Sequence, residues 1–78
     1  MKLQEIRRSR GLSQAKLAKA AGINLRTLQY YEQGVKNFDH AKLNTILKCA
    51  IALKCKMSDI ISNPLYLETI EQYEKSQE

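Results

Sequence analysis

The chain has 78 residues, which suffices for one domain with a modest core. A hydrophobic content of 44%, a charged content of 27% and a net charge of +5 are typical of a folded globular protein and exclude a chain that is disordered throughout. No apolar run approaches the ~20 residues that span a bilayer, and the N-terminus lacks a secretory signal pattern, so we expect a cytoplasmic protein without membrane contact.

The first half of the chain predicts three short helices and no strand. They are expected over residues 2–10, 14–21 and 25–33, and each is followed by a glycine that tolerates a left-handed conformation. Ser13 and Asn24 precede the second and third helices and are residue types that cap helix N-termini. The fold class predicted from this pattern is all-α.

The second half predicts a longer helix followed by two more. Asp39 is expected to cap the fourth helix, and a short fifth helix is expected over Met57–Ile61. Ser62 or Asn63 ahead of Pro64 is a typical start for a last helix. The fourth helix carries an apolar stripe formed by Leu43, Ile46, Leu47, Ala50 and Leu53.

The positive charge is concentrated at one end of the chain. Residues 1–38 carry eight Lys or Arg against two acids, whereas residues 39–78 carry five against six. A charge bias can mark a solvated face without function, but its confinement to one half favours a surface that binds a polyanion.

The segment from Gln14 to Gln33 fits two helices that meet at a steep angle across a short turn. Ala18 is small enough for a close approach of the helices, and Gly22 permits a positive φ in the turn. The apolar residues spaced to fill the wedge between the helices are Leu17, Ala21, Ile23, Leu28 and Tyr31.

This segment and its flanks resemble the helix-turn-helix domain of the phage lambda/434 repressor and Cro family, also called the XRE family. The resemblance covers about residues 2–61 and implies a lambda-repressor-like bundle of five short helices, to which a C-terminal helix would add a sixth. It also implies that the third helix lies in the major groove of DNA. The matching residues are Leu12–Ala18, Gly22, Leu28 and Tyr31–Gly34, with Arg7, Gly11, Ala52–Leu53 and Ser58–Ile61 in the flanks.

Helical geometry agrees with such a groove-facing surface. If Leu28 and Tyr31 face the core, the polar side of the third helix turns outward. Arg26 suits a bidentate pair with guanine or a phosphate contact, and Asn24 suits either an adenine contact or the helix cap. Leu25 suits a thymine methyl or packing against the turn. The predicted base-contact residues are Asn24, Leu25, Arg26, Gln29 and Tyr30, of which the last two could also reach phosphates.

Further residues suit the DNA backbone. The resemblance implies that Gln14 holds a phosphate at the start of the second helix, where free amides favour an anion. It also implies that Arg7 and Glu32 form an internal ion pair between the first and third helices. The predicted phosphate contacts are Arg10, Gln14, Lys16, Lys36 and Asn37, and for each lysine a solvated role is the alternative.

Several features argue against catalysis. Cys49 and Cys55 match no zinc or redox spacing and are expected to be buried or half-buried thiols, with a regulatory thiol or an intermolecular disulfide as the alternative. His40 is the only histidine, so the chain offers neither a metal cluster nor a histidine-based triad. We expect no enzyme activity, cofactor, metal or small-molecule ligand. Lys54 stands where the family usually has Gly or Asn, so the turn there is expected to differ.

We divide the chain into a DNA-binding domain, residues 1–62, and an acidic amphipathic helix, residues 63–78. DNA would repel the four Glu among the last fourteen residues, so this helix should point away from the duplex. It could pack on the first or fourth helix, form a homodimer interface or bind another protein; its apolar residues are Tyr66, Leu67, Ile70 and Tyr73.

Two functions remain open at this stage. The first is a bacterial or phage transcriptional regulator that binds double-stranded DNA as a homodimer and represses by occupying a promoter. The alternative is an antitoxin or adaptor that binds a partner protein and regulates its own synthesis through DNA.

Overall fold

A computed structural model describes all residues, 1–78, and contains only helices and turns. Its α-helices are α1 (Lys2–Ser9), α2 (Gln14–Ala21), α3 (Leu25–Gln33), α4 (Leu43–Leu53) and α5 (Pro64–Ser76). Two 3₁₀ turns, Phe38–His40 and Met57–Asp59, flank α4. The predicted all-α, lambda-repressor-like bundle is confirmed. None of the five helices has the length and apolar character needed to cross a membrane.

The predicted short fifth helix over Met57–Ile61 is instead the second 3₁₀ turn. It ends at Asp59, and the two residues that follow it, Ile60 and Ile61, lie in the core, where each is 1% exposed. Lys2 holds this turn against the N-terminus. Its Nζ donates hydrogen bonds to the carbonyl oxygens of Ser58 and Ile61, at 2.7 and 2.6 Å.

The helix caps of the first half lie where the sequence predicts them. The Ser13 hydroxyl accepts a hydrogen bond from the Lys16 amide at the start of α2. Gly22 ends that helix with φ of 68°, a left-handed conformation in which a side chain is strained. These two residues set the bounds of α2, and the left-handed residue turns the chain toward α3.

The core is one cluster built around α2, which packs against both α3 and α4. Ala18 and Ala21 face these neighbours and are small enough to let the helices approach closely. Leucine burial stabilises such a core by about 1.5–3 kcal/mol per side chain. The buried apolar residues are Leu3, Leu17, Ala18, Ala21, Leu28, Phe38, Ile46, Cys49, Ala50, Leu53, Ile60 and Ile61.

The two cysteines are free thiols, as expected. Cys49 is fully buried and Cys55 is half-buried. Burial, together with the nearby Cys55 thiol, raises the pKa of Cys49 to about 11. Because the thiolate is the reactive form, the Cys49 thiol is protonated and unreactive at neutral pH.

Asp39 does not cap α4, contrary to the prediction. The first 3₁₀ turn places Asp39 ahead of the helix, and Lys42 occupies the cap position without a side-chain hydrogen bond. The Asp39 carboxylate instead accepts hydrogen bonds from the Ser62 and Asn63 amides, both at 2.9 Å. Asn63 in turn caps α5 through the Leu65 amide. Asp39 therefore fixes the point from which α5 departs.

Lys54 also differs from expectation. The sequence predicts a reshaped turn after α4, yet Lys54 adopts φ of 53° and ψ of 50°, the left-handed conformation that Gly22 and Gly34 supply after α2 and α3. It is the only non-glycine residue with positive φ. The backbone shape is therefore one that glycine favours, and the lysine side chain is strained there.

Lys54→Gly should raise the free energy of unfolding by about 0.5–1 kcal/mol because glycine adopts this conformation without steric strain. Urea denaturation followed by circular dichroism measures the change. Lys56→Gly is the matched control: its φ of −83° suits any residue, so glycine there should only destabilise. A loss of stability in Lys54→Gly would contradict the strain argument.

Candidate nucleic-acid interface

One side of α3 is buried and the other is open to solvent. Leu28 is fully buried against α2, whereas Arg26 is exposed and Leu25 is 39% exposed. Gln29 and Tyr30 are half-buried, at the edge between the two sides. The helix therefore presents a mixed polar and aromatic face that starts at its N-terminus.

Two cations lie close to Tyr30 on this face. Arg26 Nη1 donates to the Tyr30 hydroxyl at 3.5 Å, one helical turn away. Lys36 Nζ lies 5.7 Å from the centre of the Tyr30 ring. The turn after Gly34 brings Lys36 back to this position, because the Val35 and Lys36 amides both donate to the Tyr30 carbonyl. The arrangement concentrates positive charge beside an aromatic ring.

Asn24 uses its side-chain oxygen as the cap of α3. That oxygen accepts hydrogen bonds from the Arg26 and Thr27 amides, at 2.8 and 3.3 Å. A bidentate contact with adenine would need the same oxygen as an acceptor. While the cap is in place, only the side-chain amide nitrogen of Asn24 is available to a base. The contact of Asn24 with a base stays a prediction, and it would use this nitrogen as its only hydrogen-bond donor.

Arg7 and Glu32 form a bidentate ion pair inside the domain. Arg7 Nε and Nη2 donate to the two carboxylate oxygens of Glu32 at 2.7 and 2.8 Å, and Arg7 Nη1 donates to the Leu12 carbonyl at 2.8 Å. The two side chains are 8% and 1% exposed. The pair therefore connects three parts of the chain at one point: α1, α3, and the loop between α1 and α2.

Gln14 extends this network to the start of α2. Its amide nitrogen donates to Glu32 at 2.9 Å, and its amide oxygen accepts from Gln29 at 3.5 Å. The sequence predicts a DNA contact for Gln14 and for Gln29 separately, and it does not indicate that the two side chains contact each other. Gln14 is the first residue of α2 and Gln29 lies at the middle of α3, so only the crossing of the two helices brings them together.

Burial opposes ionisation of Glu32, but hydrogen bonds from Arg7 and Gln14 outweigh it and lower the pKa of Glu32. The hydrogen bond to Glu32 raises the pKa of Arg7. Both groups are therefore charged at neutral pH, and the folded state favours the ionised carboxylate more than the unfolded state does.

The predicted phosphate contacts do not all lie together. Gln14 and Lys16 lie in the first turn of α2, and Lys36 lies beside the exposed face of α3. Arg10 points elsewhere: its Nε donates to the Leu53 carbonyl at the end of α4, at 3.0 Å. Asn37 caps the first 3₁₀ turn through the Asp39 amide. Phosphate contacts by Arg10 and Asn37 stay predictions and would compete with these internal hydrogen bonds.

The helix-turn-helix family model matches residues 3–60 of the chain. The chain belongs to the Cro/C1-type helix-turn-helix family. The resemblance drawn from the sequence is thereby confirmed, and so is DNA as a partner. This is a family of DNA-binding transcription regulators and not of enzymes. No curated protein and no solved structure matches the chain.

The match ends before α5 begins. The matched residues run from α1 to the second 3₁₀ turn. They include the Arg7–Glu32 ion pair and both helices of the α2–α3 unit. The family match therefore covers the part of the chain that contains the candidate interface, and α5 lies outside the match.

Glu32→Gln should lower the free energy of unfolding at pH 7 by about 3 kcal/mol, because it leaves the Arg7 charge buried without its partner. Urea denaturation measures the loss. Glu5→Gln is the control, since Glu5 is an exposed acid on α1, and should change stability little.

The same pair predicts a pH dependence. A carboxylate whose pKa is lower in the folded state stabilises the protein above its unfolded-state pKa, and this stabilisation is lost as the pH falls through the folded-state value. The natural chain should therefore lose stability in acid more steeply than Glu32→Gln. Equal slopes in the two proteins would contradict the assignment of the lowered pKa to Glu32.

Proposed function

We propose that this helix-turn-helix protein binds a specific double-stranded operator as a homodimer and represses transcription by occupying a promoter. The main support for this proposal is the exposed face of α3, where Arg26, Gln29 and Tyr30 lie next to Lys36. Glu32 of the same helix is turned inward and paired with Arg7. The surface offered to DNA thus combines hydrogen-bonding side chains with positive charge.

The proposal gives the side chains different roles. Arg26 is exposed and lies in the first turn of α3, the part of a recognition helix that reaches base edges. A bidentate pair with the O6 and N7 atoms of guanine discriminates against other bases by about 1–3 kcal/mol. Gln29 and Tyr30 follow along the same face, and Leu25 offers apolar contact to a thymine methyl.

Phosphate contacts would set the register of α3 in the groove. Gln14, held by Glu32 and Gln29, and exposed Lys16 lie at the N-terminus of α2, where backbone amides and the helix dipole attract an anion. Lys36, which follows the C-terminal end of α3, would supply a further phosphate contact. These phosphate contacts would contribute affinity that decreases with salt concentration, and they would not discriminate between DNA sequences.

The acidic helix is compatible with this orientation. α5 packs against the second 3₁₀ turn, where the Glu74 carboxylate accepts a hydrogen bond from the Ser58 amide at 3.3 Å. Two copies of the chain would bind two half-sites about one helical turn of DNA apart. We also propose that the protein acts in the cytoplasm of a bacterium or of a phage-infected cell.

Arg26→Ala should reduce discrimination between a duplex from the protein's own upstream region and a scrambled duplex by about 5–150-fold, equivalent to about 1–3 kcal/mol. Fluorescence anisotropy on both duplexes measures the ratio. Arg8→Ala removes the same charge from the exposed face of α1 and should leave the ratio unchanged. Equal binding of both duplexes by the natural chain would overturn specific recognition on that region.

Lys36→Ala should weaken binding to both duplexes by a similar factor. The slope of the logarithm of affinity against the logarithm of salt concentration should fall by about 1, because one phosphate contact is lost. A changed discrimination ratio with an unchanged slope would instead assign Lys36 to a base.

A further inference from the structure

Tyr30 contacts two cations with two different parts of its side chain. Its hydroxyl accepts a hydrogen bond from Nη1 of Arg26, one turn earlier on α3, at 3.5 Å. Its ring lies 5.7 Å from Nζ of Lys36, which follows α3. Because one contact uses the oxygen and the other uses the ring, a substitution can remove the first and keep the second.

Neither cation is paired with a carboxylate. The only ion pair of the structure joins Arg7 to Glu32, and the Glu32 side chain is 1% exposed. Arg26 and Lys36 are both exposed, whereas Tyr30 is half-buried. Long exposed side chains sample many rotamers, and ordering them when a partner binds costs free energy. Tyr30 is the side chain that restricts both cations before DNA is bound.

The backbone also fixes Lys36 relative to Tyr30. Gly34 ends α3 in a left-handed conformation with φ of 79°. The Val35 and Lys36 amides then donate to the Tyr30 carbonyl at 2.9 and 3.2 Å. The backbone of Lys36 is therefore bound to the same residue whose ring its side chain reaches.

The contact with Tyr30 leaves most donors of Arg26 free. A guanidinium has five N–H donors in one plane, and the hydrogen bond to Tyr30 uses one of the two on Nη1. The edge formed by Nε and Nη2 remains for the O6 and N7 atoms of guanine. Because the guanidinium is rigid and planar, a hydrogen bond to one of its nitrogens restricts the direction of the free edge.

We propose that Tyr30 is a positioning residue: its hydroxyl orients Arg26 for guanine, and its ring holds Lys36 where it contacts a phosphate. The inference rests on the proposed function, because it concerns how two of the proposed DNA contacts are arranged. The hydroxyl acts through Arg26 and does not itself read a base. Sequence discrimination therefore depends on the hydroxyl of Tyr30, and salt-dependent affinity depends on its ring.

The first test uses the full chain without DNA. Tyr30→Phe removes only the hydroxyl, so the Nε–H group of Arg26 should become more mobile in NMR relaxation. The ε-methylene protons of Lys36 should keep the upfield shift caused by the ring, and they should lose it in Tyr30→Leu. The reference is Arg8, an exposed arginine on α1, whose Nε–H group should be unaffected by either substitution.

The second test measures binding to the upstream and scrambled duplexes. Tyr30→Phe should reduce the ratio of the two affinities by about 3–10-fold, as expected for the loss of one hydrogen bond, with an unchanged salt slope. Tyr30→Leu should reduce the ratio as well and lower the salt slope in the direction of Lys36→Ala. Tyr73→Phe removes the hydroxyl of a tyrosine that is 63% exposed on α5, and it should bind as the natural chain does.

A double variant separates positioning from direct base contact. If Tyr30 acts through Arg26, Arg26→Ala combined with Tyr30→Phe should discriminate as poorly as Arg26→Ala alone. Both single variants should lose preference at the same base pair, which is found by replacing the pairs of the duplex one at a time. Losses that add, or losses at two different base pairs, would overturn the proposal because Tyr30 would then read a base directly.

Failure of this inference and failure of the proposed function give different results. Circular dichroism should show the natural helical content and thermal midpoint for Tyr30→Phe, so changed binding is not misfolding. An Arg26 side chain that is equally mobile in the natural chain and in Tyr30→Phe would overturn the proposal, whatever the DNA result. If that mobility rises while the natural chain binds all duplexes alike, the positioning of Arg26 stands and operator recognition is wrong.

Discussion

The bidentate contact between Arg7 and Glu32 fixes how α3 lies in this domain. Three hydrogen bonds from Arg7, two to Glu32 and one to Leu12, join α1 and α3 at the loop that leads into α2. Gln14 donates to the same carboxylate, so α2 is tied to the same point. The two side chains are shielded from water, at 8% and 1% exposure, so their contact sets how α1, α3 and the loop between α1 and α2 meet.

The interface follows from that constraint. With Glu32 turned inward, the outward face of α3 loses its only carboxylate, and the remaining side chains, Arg26 and Tyr30 among them, are neutral or positive. The Asn24 cap starts the helix at the position from which Arg26 projects. The same network that stabilises the fold therefore also sets the charge and the starting point of the face proposed to enter the major groove.

The sequence predicts the first half of the structure closely because its signals are local. Ser13, Asn24 and the glycines after α1, α2 and α3 act on neighbouring backbone, so pattern alone locates these helices. Asp39 illustrates the limit: its partners are the Ser62 and Asn63 amides, more than twenty residues away, and a cap motif could not indicate them. Likewise, the contact of Gln14 with Gln29 depends on how α2 and α3 cross, which no spacing along the chain specifies.

In the proposed complex, α3 and the start of α2 meet DNA while α5 does not. Amide chemical shifts of the isotopically labelled protein, followed during titration with the upstream duplex, test this residue by residue. We expect the largest changes at Gln14–Lys16 and Asn24–Asn37, with few along Pro64–Ser76. Changes centred on α5, with the α3 face unaffected, would contradict it.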